Sequence, residues 1–192
     1  QNFGRDQILE VKKEFFNNSF NFPTRALVNF NGTEFNELSK SLVDGTISTD
    51  AKYFLRLYEA EGNAEMTEDY TLHVQAISQS WTEGSGKFGD RPKNTNGCSW
   101  ENTSNFIGAN AQTWSKNDGT RNDGPSVLVV SSSTQAFSNE SPDVNVEVTD
   151  MVNMWLLEKS QTHGTQNYGF QLRFTGSQET DSTTFGHLKF FS

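Results

Sequence analysis

The sequence predicts a mostly β protein, an antiparallel two-sheet β-sandwich of jelly-roll-like design with two short helices on its connections. Three observations predict this fold class. Apolar and polar residues alternate over eight short stretches, two further stretches have helical spacing, and the chain carries 16 phenylalanines. Alternation with a period of two buries one face of each strand. Phenylalanine rings fill the space between facing sheets, so their abundance favours a sandwich.

The clearest strand is predicted at residues 70–78, where Leu72 and Val74 point inward while His73 and Gln75 point outward. The other stretches alternate less regularly, but Gly, Asn, Asp or Pro residues lie near their ends and favour turns there. The eight predicted strands are residues 6–15, 25–31, 53–60, 70–78, 126–131, 144–149, 168–174 and 187–191.

Two stretches are predicted to be helices. In residues 33–43, apolar residues recur at helical spacing, and Thr33 is a suitable N-cap. In residues 150–159, Met151 and Trp155 share one stripe, which predicts that Trp155 belongs to the core. Because both helices fall between predicted strands, they are expected on strand-to-strand connections that cover the open ends of the sandwich.

The chain is expected to form one domain over residues 1–192, since that length can bury a core. A long loop insertion is predicted at about residues 81–126, which are rich in Gly, Asn and Asp. Its Gly84–Lys87 core has part of a phosphate-loop pattern. However, Trp81 and Phe88 stand where that pattern requires a Gly and a Ser or Thr. A nucleotide site is therefore not predicted.

Charge excludes one class of partner. The formal net charge is −9, with 24 acidic and 15 basic residues, and such a chain repels the phosphate backbone of nucleic acids. No stretch approaches the ~20 consecutive apolar residues that a membrane-spanning helix needs, so no membrane partner is predicted. The single cysteine, Cys98, excludes a disulfide within the chain and is expected to be a half-buried filler.

Five side chains are candidates for glycan contact: Trp81, Trp100, Trp114, Tyr58 and His73. Flat aromatic faces stack on sugar rings much as they stack on other planar or cationic groups, and the last two side chains are predicted to face outward from strands. The alternative for the three tryptophans is structural. In that interpretation, which is favoured, the indoles anchor the insertion to the sandwich and Gly84 and Gly86 supply its turns.

Metal binding and catalysis have weaker signals. Carboxylates near residues 59–69 could ligate a structural calcium ion, but their spacing is not that of an EF-hand loop, and a solvated acidic hairpin is favoured. The candidate ligands are Glu59, Glu61, Glu65, Glu68 and Asp69. The three histidines, His73, His163 and His187, have no HExxH spacing and no serine elbow to serve. No catalytic residue, no metal site and no cofactor are predicted.

Several motifs in order resemble those of the DNRLRE-type β-sandwich, which is similar to carbohydrate-binding modules of family 96. The resemblance covers nearly the whole chain and implies binding without hydrolysis. Its motifs lie at residues 25–30 (RALVNF), 81–86 (WTEGSG), 97–100 (GCSW), 148–155 (VTDMVNMW) and 167–172 (NYGFQL).

The two ends, FGRDQILEVKK and FGHLKFFS, resemble versions of this module in structural proteins of marine tailed bacteriophages. In those versions the pattern continues past Ser192 into one more strand, which implies that this chain is a fragment of a longer one. An open edge is therefore expected beside residues 187–191, to be completed by a strand from the longer chain or from a neighbouring virion protein.

The resemblance implies a non-enzymatic structural or attachment module of a bacteriophage virion, in the tail, the neck or the capsid surface. Other virion proteins, and a host surface polysaccharide, would be its partners. The alternative is a carbohydrate-binding module of a secreted or surface polysaccharide-acting protein, which would place it outside the cell or on the cell surface.

Overall fold

A computed structural model describes residues 2–19, 22–30, 32–60, 69–104, 111–116, 119–137, 143–160 and 165–191. Within them the chain forms β-strands and three helices, α1 (Gly32–Val43), α2 (Thr149–Ser160) and α3 (Gly176–Thr180). The strands are β1 (Ile8–Lys13), β2 (Ala26–Val28), β3 (Phe54–Leu57), β4 (Tyr70–Ile77), β5 (Asn102–Ser104), β6 (Gln112–Thr113), β7 (Val127–Phe137), β8 (Val144–Glu147), β9 (Phe170–Phe174) and β10 (Gly186–Phe191).

Eight of these strands form two antiparallel rows. The first row is a continuous sheet in the order β2–β9–β4–β7. The second row consists of the β1–β10 and β3–β8 ladders, joined where the chain continues past β3 and Glu59 bridges Phe190. This gives the order β1–β10–β3–β8. Two facing rows of four strands with these crossing connections are the jelly-roll arrangement, so the predicted fold class is confirmed.

The two rows meet at both sides of the sandwich. At one side, Lys12 at the end of β1 bridges Thr24, just before β2. At the other side β7 lies beside β8, and the hydrogen bonds between them involve side chains. Ser133 Oγ donates to Glu147 O (2.6 Å), Gln135 Nε2 donates to Asp143 O (3.1 Å), and Asn145 N donates to Gln135 Oε1 (2.8 Å). We call this β7–β8 contact the side-chain seam.

The core lies between the two rows and continues under the helices. Leu72, Val74 and Leu172 from the first sheet are fully buried, as are Val11 and Leu188 from the second row. The predicted core position of Trp155 is confirmed. Its ring lies 4.8 Å from that of Phe170 and 6.2 Å from that of Phe35, so α2 and α1 are fastened to the same end of the core.

Both predicted helices are present on strand-to-strand connections, and α3 is an addition to the prediction. Its sequence, GSQET, has no apolar stripe and is typical of a polar turn. A buried ion pair explains its position, because Glu179 of α3 accepts hydrogen bonds from Arg25 and Arg173. Strand β7 also extends well beyond the predicted residues 126–131, through a run of Ser, Thr and Gln that lacks apolar alternation.

The C-terminal strand differs from the expectation of an open edge. Strand β10 pairs with β1 along its whole length, from Gly186 opposite Lys13 to Phe191 opposite Ile8. On its other side, Phe191 N donates to Tyr58 O (3.0 Å) and Ala60 N donates to Lys189 O (2.9 Å). The chain's own segment after β3 therefore occupies the last three residues of that edge.

No helix among the described residues is long and apolar enough to cross a membrane.

Candidate glycan-binding groove

Trp114 is an anchor of the insertion. Its side chain is fully buried, and its Nε1 donates to Ser99 O (2.9 Å). A ligand outside the protein has no access to such a ring, so the prediction that Trp114 contacts a glycan is wrong. Trp114 instead holds the chain around Ser99 against β6, which is the structural role weighed as the alternative.

Trp81 and Trp100 lie together on one groove, although each indole N–H is already bonded within the protein. Trp81 Nε1 donates to Tyr168 O (2.8 Å), and Trp100 Nε1 donates to Asp123 Oδ1 (2.6 Å). Both side chains are half-buried. Their N–H groups therefore hold the two rings in place and are not available to a ligand. A ligand could contact only the exposed parts of the rings.

The groove runs between β1 and β2 on one side and the insertion on the other. Its volume is about 1040 Å³, at the upper limit of the size range of small-ligand and cofactor sites. Apolar and aromatic side chains line it, including Phe3, Leu27, Trp81 and Trp100. Charged side chains of both signs line it too, namely the cations Arg5, Arg25 and Lys87 and the carboxylates Asp6, Glu10 and Glu83. The groove thus combines stacking surfaces with charged groups of both signs.

Arg25 fixes the position of Trp100. Its guanidinium carbon lies 4.2 Å from the centre of the Trp100 ring, within cation–π distance. Arg25 Nε and Nη2 donate to the two carboxylate oxygens of Glu179 (2.8 and 2.7 Å), a bidentate pair with a carboxylate that is only 9% exposed. Because Arg25 covers one face of Trp100, only the opposite face is left for a ligand.

A second, shallower depression adjoins the groove. It has a volume of about 670 Å³ and is lined by Arg5, Lys87, Arg91 and Lys93, with Asp90 as the acidic residue among them. We call it the basic depression. Four of the chain's 15 basic residues meet there in a protein of net charge −9. Arg5 and Lys87 line both the groove and the depression, so the two cavities are adjacent.

The glycine-rich stretch of the insertion surrounds Asn2, which is only 4% exposed. Asn2 Nδ2 donates to Glu83 O (2.5 Å) and Cys98 O (3.1 Å). A Cβ added at Gly84 would lie 2.6 Å from Asn2 Oδ1, and one at Gly97 would lie 2.8 Å from Asn2 Nδ2. Gly84 also has a φ of +82°, so the prediction that it supplies turn geometry is confirmed.

Tyr58 and His73 do not line the groove. Tyr58 is 58% exposed and lies beside Phe191, 57% exposed, on the second row of strands. His73 faces outward from β4, as predicted, between Thr134 and Arg173 on the neighbouring strands. Burial and the charge of Arg173 lower the pKa of His73. These two candidates therefore do not form a single site with the tryptophans.

The described residues contain no cluster of three His, Cys, Asp or Glu side chains that could hold a metal ion. Of the proposed calcium ligands, Glu59 and Asp69 are described, whereas Glu61, Glu65 and Glu68 lie outside the described residues, as does His163. Burial raises the pKa of the Cys98 thiol to about 11. The thiolate that a nucleophile requires is therefore disfavoured.

Sequence reasoning missed most of the cations and the positioning residues of this site. The K-x-x-x-R-x-K spacing of Lys87, Arg91 and Lys93 was a usable signal, because three cations within one loop of an acidic chain indicate an anion-binding surface. No local pattern connects Asn2 or Arg5 with residues that lie about eighty positions away in the sequence. Only the fold brings them together.

Comparison with protein families, with curated proteins and with solved structures finds no match for this chain.

Proposed function

We propose that this protein is a non-enzymatic attachment module that binds an anionic surface polysaccharide. The observation that carries the proposal is that the aromatic groove lies next to the basic depression and shares Arg5 and Lys87 with it. Sugar rings would stack on Trp81 and Trp100, and acidic substituents of the same polymer would reach the cations.

Charge supports an anionic ligand over a neutral one. Guanidinium and ammonium groups form their strongest hydrogen bonds with carboxylate, sulfate or phosphate oxygens. The remainder of this acidic protein repels polyanions, so an anionic polymer is attracted only where the cations are concentrated. The basic depression would therefore determine both where the polymer binds and in which register it lies.

The setting we propose is the virion of a tailed bacteriophage, in its tail, neck or capsid surface, with other virion proteins as partners. This follows from the resemblance of the two chain ends to phage structural proteins. A carbohydrate-binding module of a secreted or surface polysaccharide-acting protein is the alternative, and the groove supports glycan contact equally in both settings. Mass spectrometry of purified virions separates them, because only a virion component is recovered with the particles.

The binding proposal is tested by affinity electrophoresis through gels containing alginate, a carboxylated polysaccharide, or dextran, a neutral one. We expect alginate to retard the wild-type protein more strongly than dextran, and added salt to weaken the retardation. Trp100→Ala and Lys87→Ala should each reduce it. Tyr58→Ala is the matched control, since it removes an exposed aromatic ring outside the groove. Equal loss in the Tyr58 variant, or no retardation of wild type by alginate and other bacterial surface polysaccharides, would refute the assignment.

A further inference from the structure

We propose that the N-terminal arm, residues 2–6, forms part of the ligand-binding site. In this proposal Asn2 is the positioning residue that fixes the conformation of the loop around the basic depression. This inference rests on the proposed function for the identity of the ligand. Its structural half, the positioning of the insertion by Asn2, can be measured with no ligand present.

The Asn2 side chain is bonded on every side. Besides donating to Glu83 O and Cys98 O, it accepts hydrogen bonds at Oδ1 from Gly4 N and Gly86 N, both at 3.1 Å. The donors bind two carbonyls of the insertion, while the acceptor binds one amide of the arm and one of the insertion. A single amide group therefore ties the arm to both sides of the loop.

The glycines make this fit specific. Side chains at Gly84 and Gly97 would collide with the Asn2 amide, and one at Gly86 would collide with the Asn2 backbone oxygen. The insertion thus leaves a space whose shape and hydrogen-bonding groups match one asparagine. We call this space the glycine socket.

The rest of the arm carries this attachment into the ligand-binding surface. Arg5 N donates to Gly86 O (3.0 Å), and Asp6 Oδ2 accepts from Phe88 N (2.9 Å). The rings of Phe3 and Phe88 stack with their centres 6.4 Å apart. These contacts hold the loop on both sides of Lys87, while the Arg5 side chain lines both cavities.

The arm therefore does two things. It contributes one of the four cations of the basic depression, and it fixes the loop that carries the other three. An insertion without the arm would keep its cations but lose their arrangement. A polymer whose acidic groups are regularly spaced would bind such a loop less tightly, because ordering the loop would then oppose binding.

The test is Asn2→Asp, which keeps the size of the side chain and its acceptor oxygen but replaces the two N–H donors with an acceptor. At neutral pH a carboxylate would face two carbonyl oxygens in a buried space. We expect faster amide exchange at residues 83–98 and about tenfold weaker alginate binding, the usual effect of losing buried hydrogen bonds. Burial raises the pKa of such a carboxyl, so exchange protection should partly recover as the pH falls and the group is protonated.

Two matched variants complete the experiment. Asn153→Asp adds the same charge on an exposed position of α2 and should change neither measurement. Arg5→Gln should weaken alginate binding while leaving the exchange at residues 83–98 unchanged. Unchanged exchange in Asn2→Asp overturns the positioning role. Faster exchange with unchanged binding overturns the link to the ligand. Absence of binding in wild type overturns the proposed function, while the exchange measurement still decides the positioning role.

Discussion

Trp114 and Trp100 belong to the same insertion but differ in burial, and that difference predicts different effects of substitution. Trp114→Ala removes a fully buried indole and its hydrogen bond to Ser99. We expect it to lower the free energy of unfolding by ~3–5 kcal/mol. Trp100→Ala should cost less stability, since its ring is only half-buried, while removing a stacking surface of the groove.

Urea denaturation followed by far-UV circular dichroism measures both variants, and alginate retardation measures the second effect. The assignment of roles fails if Trp100→Ala destabilises the protein as much as Trp114→Ala. It also fails if Trp114→Ala unfolds at the wild-type urea concentration.

Asp181 connects stability to pH. Desolvation raises the pKa of its carboxyl, but hydrogen bonds from Thr184, Lys13 and Thr183 outweigh it and hold the pKa well below the ordinary range. A carboxyl whose pKa is lowered by folding binds fewer protons in the folded state. Its contribution is therefore complete above the unfolded pKa of about 3.9 and is lost as the pH falls toward the folded pKa.

We expect the urea midpoint of the wild-type protein to decline as the pH falls below about 4, because carboxyls near this pKa begin to take up protons. In Asp181→Asn the decline should be shallower, from a lower starting stability at neutral pH. Parallel curves for the two proteins, separated by a constant amount from neutral to acidic pH, would show that Asp181 does not cause this dependence.

At the level of elements, the hairpin after β1 is closed by two asparagines. Phe16 and Ser19 exchange both backbone hydrogen bonds (2.8 and 3.1 Å), and the residues between them, Asn17 and Asn18, have φ of 52° and 60°. Two positive φ values in a two-residue loop define a type I′ turn, for which Asn-Gly is the preferred pair.

We therefore expect Asn18→Gly to keep or slightly raise the melting temperature, whereas Asn18→Val should lower it. The left-handed conformation costs a non-glycine residue roughly 1–2 kcal/mol, and β-branching adds to that cost. Differential scanning calorimetry of the two variants provides the measurement. An equal effect of Gly and Val would mean that the turn is not of this type in solution.

The elements differ in how well local sequence predicts them. Strand β4 alternates from Tyr70 to Ala76, so the burial pattern of these residues follows directly from the sequence. Helix α3 has no apolar stripe, and its position depends on the ion pairs of Glu179 with Arg25, just before β2, and Arg173 on β9. The site follows the same rule. Trp81 and Trp100 could be selected from composition, whereas Asn2 and Arg5 join them through contacts that no local pattern encodes.

For the molecule as a whole, closure of the sandwich predicts its state of association. Strand β10 has hydrogen-bonded neighbours on both sides over its last residues, so the chain itself occupies that part of the edge. We expect the 192-residue chain to sediment as a monomer of 21.6 kDa. The amide of Phe191, bonded to Tyr58 O, should exchange slowly with solvent.

Sedimentation velocity and hydrogen exchange measure the two quantities on one sample. Oligomers that disappear when a strand-forming extension is added after Ser192 would restore the open-edge expectation. Rapid exchange of the Phe191 amide would also restore the open-edge expectation.

The side-chain seam gives the sandwich a direction of mechanical weakness. Along most of its circumference, pulling two strands apart means breaking a backbone ladder, but between β7 and β8 it means breaking hydrogen bonds to Ser133 and Gln135 side chains. A hydrogen bond made through a side chain is connected to the backbone by several rotatable bonds, so it yields more easily than a bond between two backbones. It also has fewer neighbouring hydrogen bonds with which to share the force. Under a load that pulls the two rows apart, the sandwich would therefore separate at the side-chain seam or at the opposite β1–β2 side, where the described strands are joined by the Lys12–Thr24 bridge and not by a ladder, before any backbone ladder breaks.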